Sequence, residues 1–130
     1  MPILVVDDDP IFLELLAGML RSAGHEVLVA ADGAAALSVC QRVRVDLIVA
    51  DWIMPGMDGV ELMRRLRSEF PGLRVIAISG GGNFELSGYG PDAVTTRAYL
   101  AAAANVGADA VLAKPFETAE LEALIRPLLQ

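Results

Sequence analysis

Five short apolar runs, "ILVV" at 3–6, "VLVA" at 27–30, "LIVA" at 47–50, "VIAI" at 75–78 and "AVLA" at 110–113, are separated by longer segments with helical spacing. That rhythm leaves few folds open. Runs that are apolar at every position, rather than at alternate ones, suit strands buried on both faces, the mark of a parallel sheet covered by helices above and below. Each strand-to-strand crossover is then expected to be right-handed. In the first intervening segment Ile11, Leu15, Met19 and Leu20 read as the face turned to the sheet, and in the last Leu121, Leu124, Ile125 and Leu128. The fold class is α/β, a doubly wound five-stranded parallel sheet. At 130 residues the chain suffices for one core and not for two, so residues 1–130 form a single domain.

Local signals place the element ends. Asp9 is held extended by Pro10, which suits the first helical position, so Asp9 is expected at the N-cap. Gly24 and Gly107 each stand where a helix is expected to have just ended. Pro91 suits the first turn of the fourth helix, Asp58 with Glu61 resembles a cap for the third, and Pro127 ends or kinks the fifth. The stretch "SGGGNFELSGYGPD" at 79–92 has five glycines and no period, and reads as a loop. It has neither the Walker pattern nor a dinucleotide fingerprint.

Composition excludes several functions. No apolar run approaches the roughly 20 residues that span a bilayer, and the first residues lack a secretory leader, so a cytoplasmic protein with no membrane contact is expected. A net charge of −7 argues against a nucleic-acid surface. The lone Cys40 rules out an internal disulfide and a cysteine-based zinc cluster; among apolar neighbours it reads as a buried, inert thiol. Of the ten cations nine are arginine, and the one lysine is Lys114.

In a doubly wound sheet ligands bind outside the carboxyl ends of the strands, where the strand order reverses. The polar residues following the apolar runs are therefore the candidates: Asp7 and Asp8 after the first, Asp51 after the third, Ser79 after the fourth, Lys114 after the fifth, and only Asp32 and Gly33 after the second. Aspartates after strands often cap helices, and Asp9 is explained that way; Asp7 and Asp8 are not. Carboxylates gathered at one point repel, and a divalent cation removes the cost. With oxygen ligands only, a hard ion that keeps waters and takes phosphate oxygens is favoured, which is Mg²⁺.

"ILVVDDDP", "DLIVADWIMPGMDG", "VIAIS" and "AKPF", in this order, resemble the signatures of response-regulator receiver domains of two-component signalling. The resemblance implies a flavodoxin-like (βα)5 fold with strand order 2-1-3-4-5. It implies that Asp51 is the phosphoacceptor, that Asp7, Asp8, Asp51 and the carbonyl of Ile53 hold Mg²⁺, and that Lys114 and the Ser79 hydroxyl contact the phosphoryl group. It also implies a cis peptide from Lys114 to Pro115. His25, the only histidine, lies in the "AGHEV" turn, so the chain is expected to receive phosphate from a histidine kinase or a histidine phosphotransfer protein. The chain then looks like a stand-alone receiver, monomeric or dimerising on activation, that relays phosphate or docks to a downstream protein, and not an enzyme beyond its own phosphorylation chemistry.

Two departures bear on switching. Val111 stands where receivers usually place an aromatic residue, and the 34 residues from 80 to 113 exceed the usual length by about a dozen. The expectation is that the glycine-rich loop, through Phe84, Tyr89 or Tyr99, takes over the response to phosphorylation. A haloacid-dehalogenase-type phosphatase needs threonine or valine at the fifth position from Asp7, which is Ile11. The remaining alternative is a receiver-like interaction module without phosphorylation.

Overall fold

The computed structural model describes residues 2–51, 59–79, 108–113 and 116–129, with the backbone alone at Gly59, Val60, Ser79 and Ala113. The elements follow in the order β1 (Pro2–Val6), α1 (Pro10–Ser22), β2 (Glu26–Ala30), α2 (Gly33–Arg42), β3 (Leu47–Asp51), α3 (Gly59–Glu69), β4 (Arg74–Ser79), β5 (Ala110–Ala113) and α4 (Thr118–Leu128). All pairings are parallel and the sheet order is β2-β1-β3-β4-β5. The expected helix before Gly107, the loop beyond Ser79, Asp58 and the Lys114 to Pro115 peptide lie outside the described residues.

Strand alternation sends side chains to two cores. Leu4, Val6, Ile48, Ala50, Val75 and Ala77 pack with Leu37 and Cys40 of α2 and Leu62, Met63 and Leu66 of α3. Ile3, Val5, Leu47, Val49, Ile76 and Ile78 pack with Leu16, Ala17 and Leu20 of α1 and Leu121 and Ile125 of α4. Every position of β1, β3 and β4 in these sets is buried, so the strands read as unbroken apolar runs for the reason inferred from sequence.

α1 begins and ends as its sequence indicates. Asp9 is extended (φ −86°, ψ 109°), and its Oδ1 accepts from the N–H groups of Ile11 at 3.0 Å and Phe12 at 3.4 Å. At the other end Gly24 adopts φ +97°, while Gly24 N–H donates to Arg21 O and His25 N–H to Leu20 O, a Schellman closure that a side chain would strain. α4 stops one residue past Pro127.

The buried face of α1 includes the expected Leu20 but is turned away from Ile11 and Leu15. Ile11 and Leu15 are 79% and 60% exposed, whereas Leu16, Ala17 and Leu20 are buried. The helix carries apolar residues almost all the way round, so its period could not choose between adjacent stripes. Leu16→Ala is accordingly expected to cost about 2–5 kcal/mol and Leu15→Ala under about 0.5 kcal/mol, read from urea unfolding midpoints.

Cys40 is buried as expected, and its thiol is pushed up to about 11 by burial and, secondarily, by the charge of Glu69. Because the folded value lies above the unfolded 9.0, the protonated thiol's contribution to stability is complete below pH 9 and is lost as pH rises through 11. Alkylation at pH 8 is expected to proceed only after unfolding in urea; modification of the native protein at the unfolded rate contradicts this.

Candidate functional site

β1 lies between β2 and β3, so the chain turns back on itself there and the crevice of the sheet opens above the ends of β1 and β3. Pairing of Val6 with Ala50 makes the next residues, Asp7 and Asp51, neighbours across that crevice although they are far apart in sequence. Asp7 N–H extends the pairing with β2 by donating to Ala30 O at 3.2 Å. One carboxylate oxygen each from Asp7, Asp8 and Asp51 lies within 4.8 Å of the others. Asp7 is 2% and Asp51 8% exposed, while Asp8 faces solvent.

Local hydrogen bonding divides the aspartate run. Asp7 Oδ1 accepts from Asp9 N–H at 2.9 Å, which fixes the carboxylate against the turn, and the Asp9 carboxylate is committed to the first turn of α1. Asp32 likewise caps α2 by accepting from Ala35 N–H at 2.7 Å, so the end of β2 contributes a cap rather than a ligand.

The cluster suits a hard divalent cation. Two buried carboxylates with oxygens within 4.8 Å of each other cost at least roughly 3 kcal/mol in mutual repulsion at an effective dielectric near 20. Oxygens around an octahedral Mg²⁺ stand roughly 3–4 Å apart, so these three need little adjustment to share one ion. Among the described residues no other group of three or more His, Cys, Asp or Glu side chains is so placed. Phosphate oxygens or water can fill the remaining positions, because the exposed Asp8 leaves the cluster open on one side.

Ser79 ends β4, one residue beyond Ile78, the partner of Asp51, and pairs with Ala113 at the end of β5. Ile53 and Lys114 lie outside the described residues, as does Trp52. Val111, in the place of the usual aromatic residue, packs partly buried against the core on the α2 and α3 side. On the other face of the sheet is an aromatic contact that the sequence reading did not anticipate: Phe12 of α1 meets Phe116 edge to face, with ring centroids 6.1 Å apart at 86°. It joins the segment after residue 115 to the helix that Asp9 caps, and the only sequence signal for it was the phenylalanine of "AKPF".

Comparison with known proteins agrees with this geometry. The family model described as "Response regulator receiver domain" matches residues 3–88. The chain is 34% identical over 128 residues to the probable transcriptional regulatory protein TcrX of Mycobacterium tuberculosis, covering 98% of this chain and 49% of that protein. It is 34% identical over 128 residues to the DNA-binding response regulator MtrA of Mycolicibacterium smegmatis, covering 98% and 50%. The crystal structure of the receiver domain of NtrX from Brucella abortus superposes with a TM-score of 0.81 at 31% identity, covering 98% of this chain and 97% of that one. The chain thus spans about half the length of the curated relatives it matches.

Proposed function

The chain belongs to the response regulator receiver domain family, and from that premise we propose that it is a phosphoacceptor whose Asp51 takes a phosphoryl group from a phosphohistidine on a histidine kinase or histidine phosphotransfer protein. A carboxylate oxygen of Asp51 attacks phosphorus in line, the phosphorus–nitrogen bond of the donor imidazole breaks, and its electron pair returns to the ring nitrogen, which is then protonated. The product is an acyl phosphate on Asp51. The observation that carries this reading is the meeting of Asp7, Asp8 and Asp51 at the paired ends of β1 and β3.

Asp7, Asp8, Asp51 and the Ile53 carbonyl are the residues that would hold Mg²⁺. The ion supplies charge neutralisation for an anionic nucleophile meeting an anionic phosphoryl group. Asp7 is fixed by the Asp9 N–H and therefore holds its oxygen in place without side-chain reorganisation. In this reading Lys114 would supply a cation, and Ser79 a hydroxyl donor, to the phosphoryl oxygens. The family relatives whose names describe transcriptional or DNA-binding regulators are about twice as long; at net charge −7 this receiver is proposed to act on a downstream protein and not on nucleic acid.

The test is incubation with acetyl phosphate and Mg²⁺, followed by intact mass. A single phosphoryl adduct is expected, with a change in Trp52 fluorescence on adding beryllofluoride. A chain that takes up no adduct is instead an interaction module without phosphorylation.

A further inference from the structure

At the opposite end of the strands from the aspartates, one carboxylate is bonded to two elements, α3 and β4. Asp109, just before β5, accepts at Oδ2 from Arg67 Nη2 of α3 at 2.7 Å and from Val75 N–H of β4 at 2.8 Å. Its Oδ1 lies 3.6 Å from Arg74 Nη1, and its own N–H donates to Val75 O at 2.8 Å. Arg67 is itself oriented by donating through Nη1 to Leu73 O at 2.6 Å. The side chains of Asp109 and Arg67 are about one-fifth and one-quarter exposed although Asp109 itself lies at the surface, so this charge-assisted contact is partly shielded from water.

β5 needs such an anchor. Strand register is normally set by which face is apolar, since a slip of one residue exchanges the two faces. In "AVLA" every residue is apolar, and both faces of the sheet are apolar cores, so a slipped β5 loses little burial. Among the described strands it also pairs with β4 alone, at the end of the sheet. Asp109 grips Val75 from both sides, through its backbone N–H and its carboxylate, and neither bond survives a slip. Lys114 directly follows Ala113 in the sequence, so a one-residue slip of β5 shifts the point from which the chain continues to Lys114 by about 3.3 Å.

We propose that Asp109 is a positioning residue for phosphoryl transfer: it sets the register of β5 and thereby the place from which Lys114 acts, at the far end of a four-residue strand. The inference rests on the proposed role of Lys114. It leaves alone Asp7 and Asp8, which follow β1, and Asp51, which ends β3.

A double-mutant cycle tests it, with phosphorylation by acetyl phosphate at saturating Mg²⁺, Mg²⁺ affinity from Trp52 fluorescence, and thermal unfolding as readouts. Asp109→Ala is expected to slow phosphorylation by about tenfold to a hundredfold, the scale of an ångström-level misplacement, while Mg²⁺ affinity stays within about twofold. Added to Lys114→Ala, it is expected to slow the reaction no further. Asp109→Asn keeps the acceptor for Val75 N–H and loses the charge facing Arg67; it is expected to fall between, and it carries the same cycle should Asp109→Ala unfold. If Lys114→Ala slows the reaction but Asp109 substitutions do not, or multiply with it, the positioning role is overturned alone. If Lys114→Ala leaves the rate unchanged, the lysine assignment fails and takes this inference with it.

Discussion

Asp51→Asn is expected to remove the phosphoryl adduct entirely, slowing any residual reaction by more than about a thousandfold, because it deletes the proposed nucleophile itself. The substitution preserves the shape of a side chain that is 8% exposed, and it relieves charge among the three carboxylates, so the protein should remain folded. Beryllofluoride should then leave Trp52 fluorescence unchanged. Intact mass after acetyl phosphate treatment decides the matter: an undiminished adduct in Asp51→Asn places the acceptor elsewhere and overturns the reading of the site.

The second large effect separates neighbours in the "DDDP" run. Asp8 is exposed and contributes one oxygen to the cluster, so Asp8→Ala costs little in packing yet removes a proposed ligand. It is expected to abolish the Mg²⁺ dependence of phosphorylation together with at least about a hundredfold in rate, since the neutralisation the ion provides is worth several kcal/mol. Asp9→Ser replaces one good N-cap by another, and is expected to change the rate by less than about twofold and stability by a few tenths of a kcal/mol. Chelating Mg²⁺ should bring the wild type down to the Asp8→Ala level. Equal losses in the two variants mean that the run works as one block of charge, contrary to the hydrogen bonds that divide it.

These effects depend on residues of differing legibility. The strand ends, the Asp9 cap and the Gly24 closure were readable because each arises from interactions within a few residues: a proline that restricts its predecessor, a glycine in the left-handed region, an apolar run ended by charge. The parallel sheet was readable for the same reason, since burial on both faces marks nearly every residue of the central strands β1, β3 and β4. Its order, and with it the meeting of Asp7 and Asp51, came from resemblance, because nothing local says which strand lies beside which.

Where the chain offered two equivalent choices, only packing decided. α1 is apolar around most of its circumference, and the sheet selected Leu16 and Ala17 over Ile11 and Leu15. His25 was placed correctly in its turn, but its contact with Glu122 at 2.8 Å joins residues 97 apart. Asp109 gave no signal at all, being one acidic residue in a turn until folding brings it to Val75, 34 residues away, and to Arg67, 42 away. Hydrophobic period and capping are encoded in neighbours along the chain and can be read there; strand register, helix facing and long-range ion pairs are settled by which surfaces fit once the elements have met.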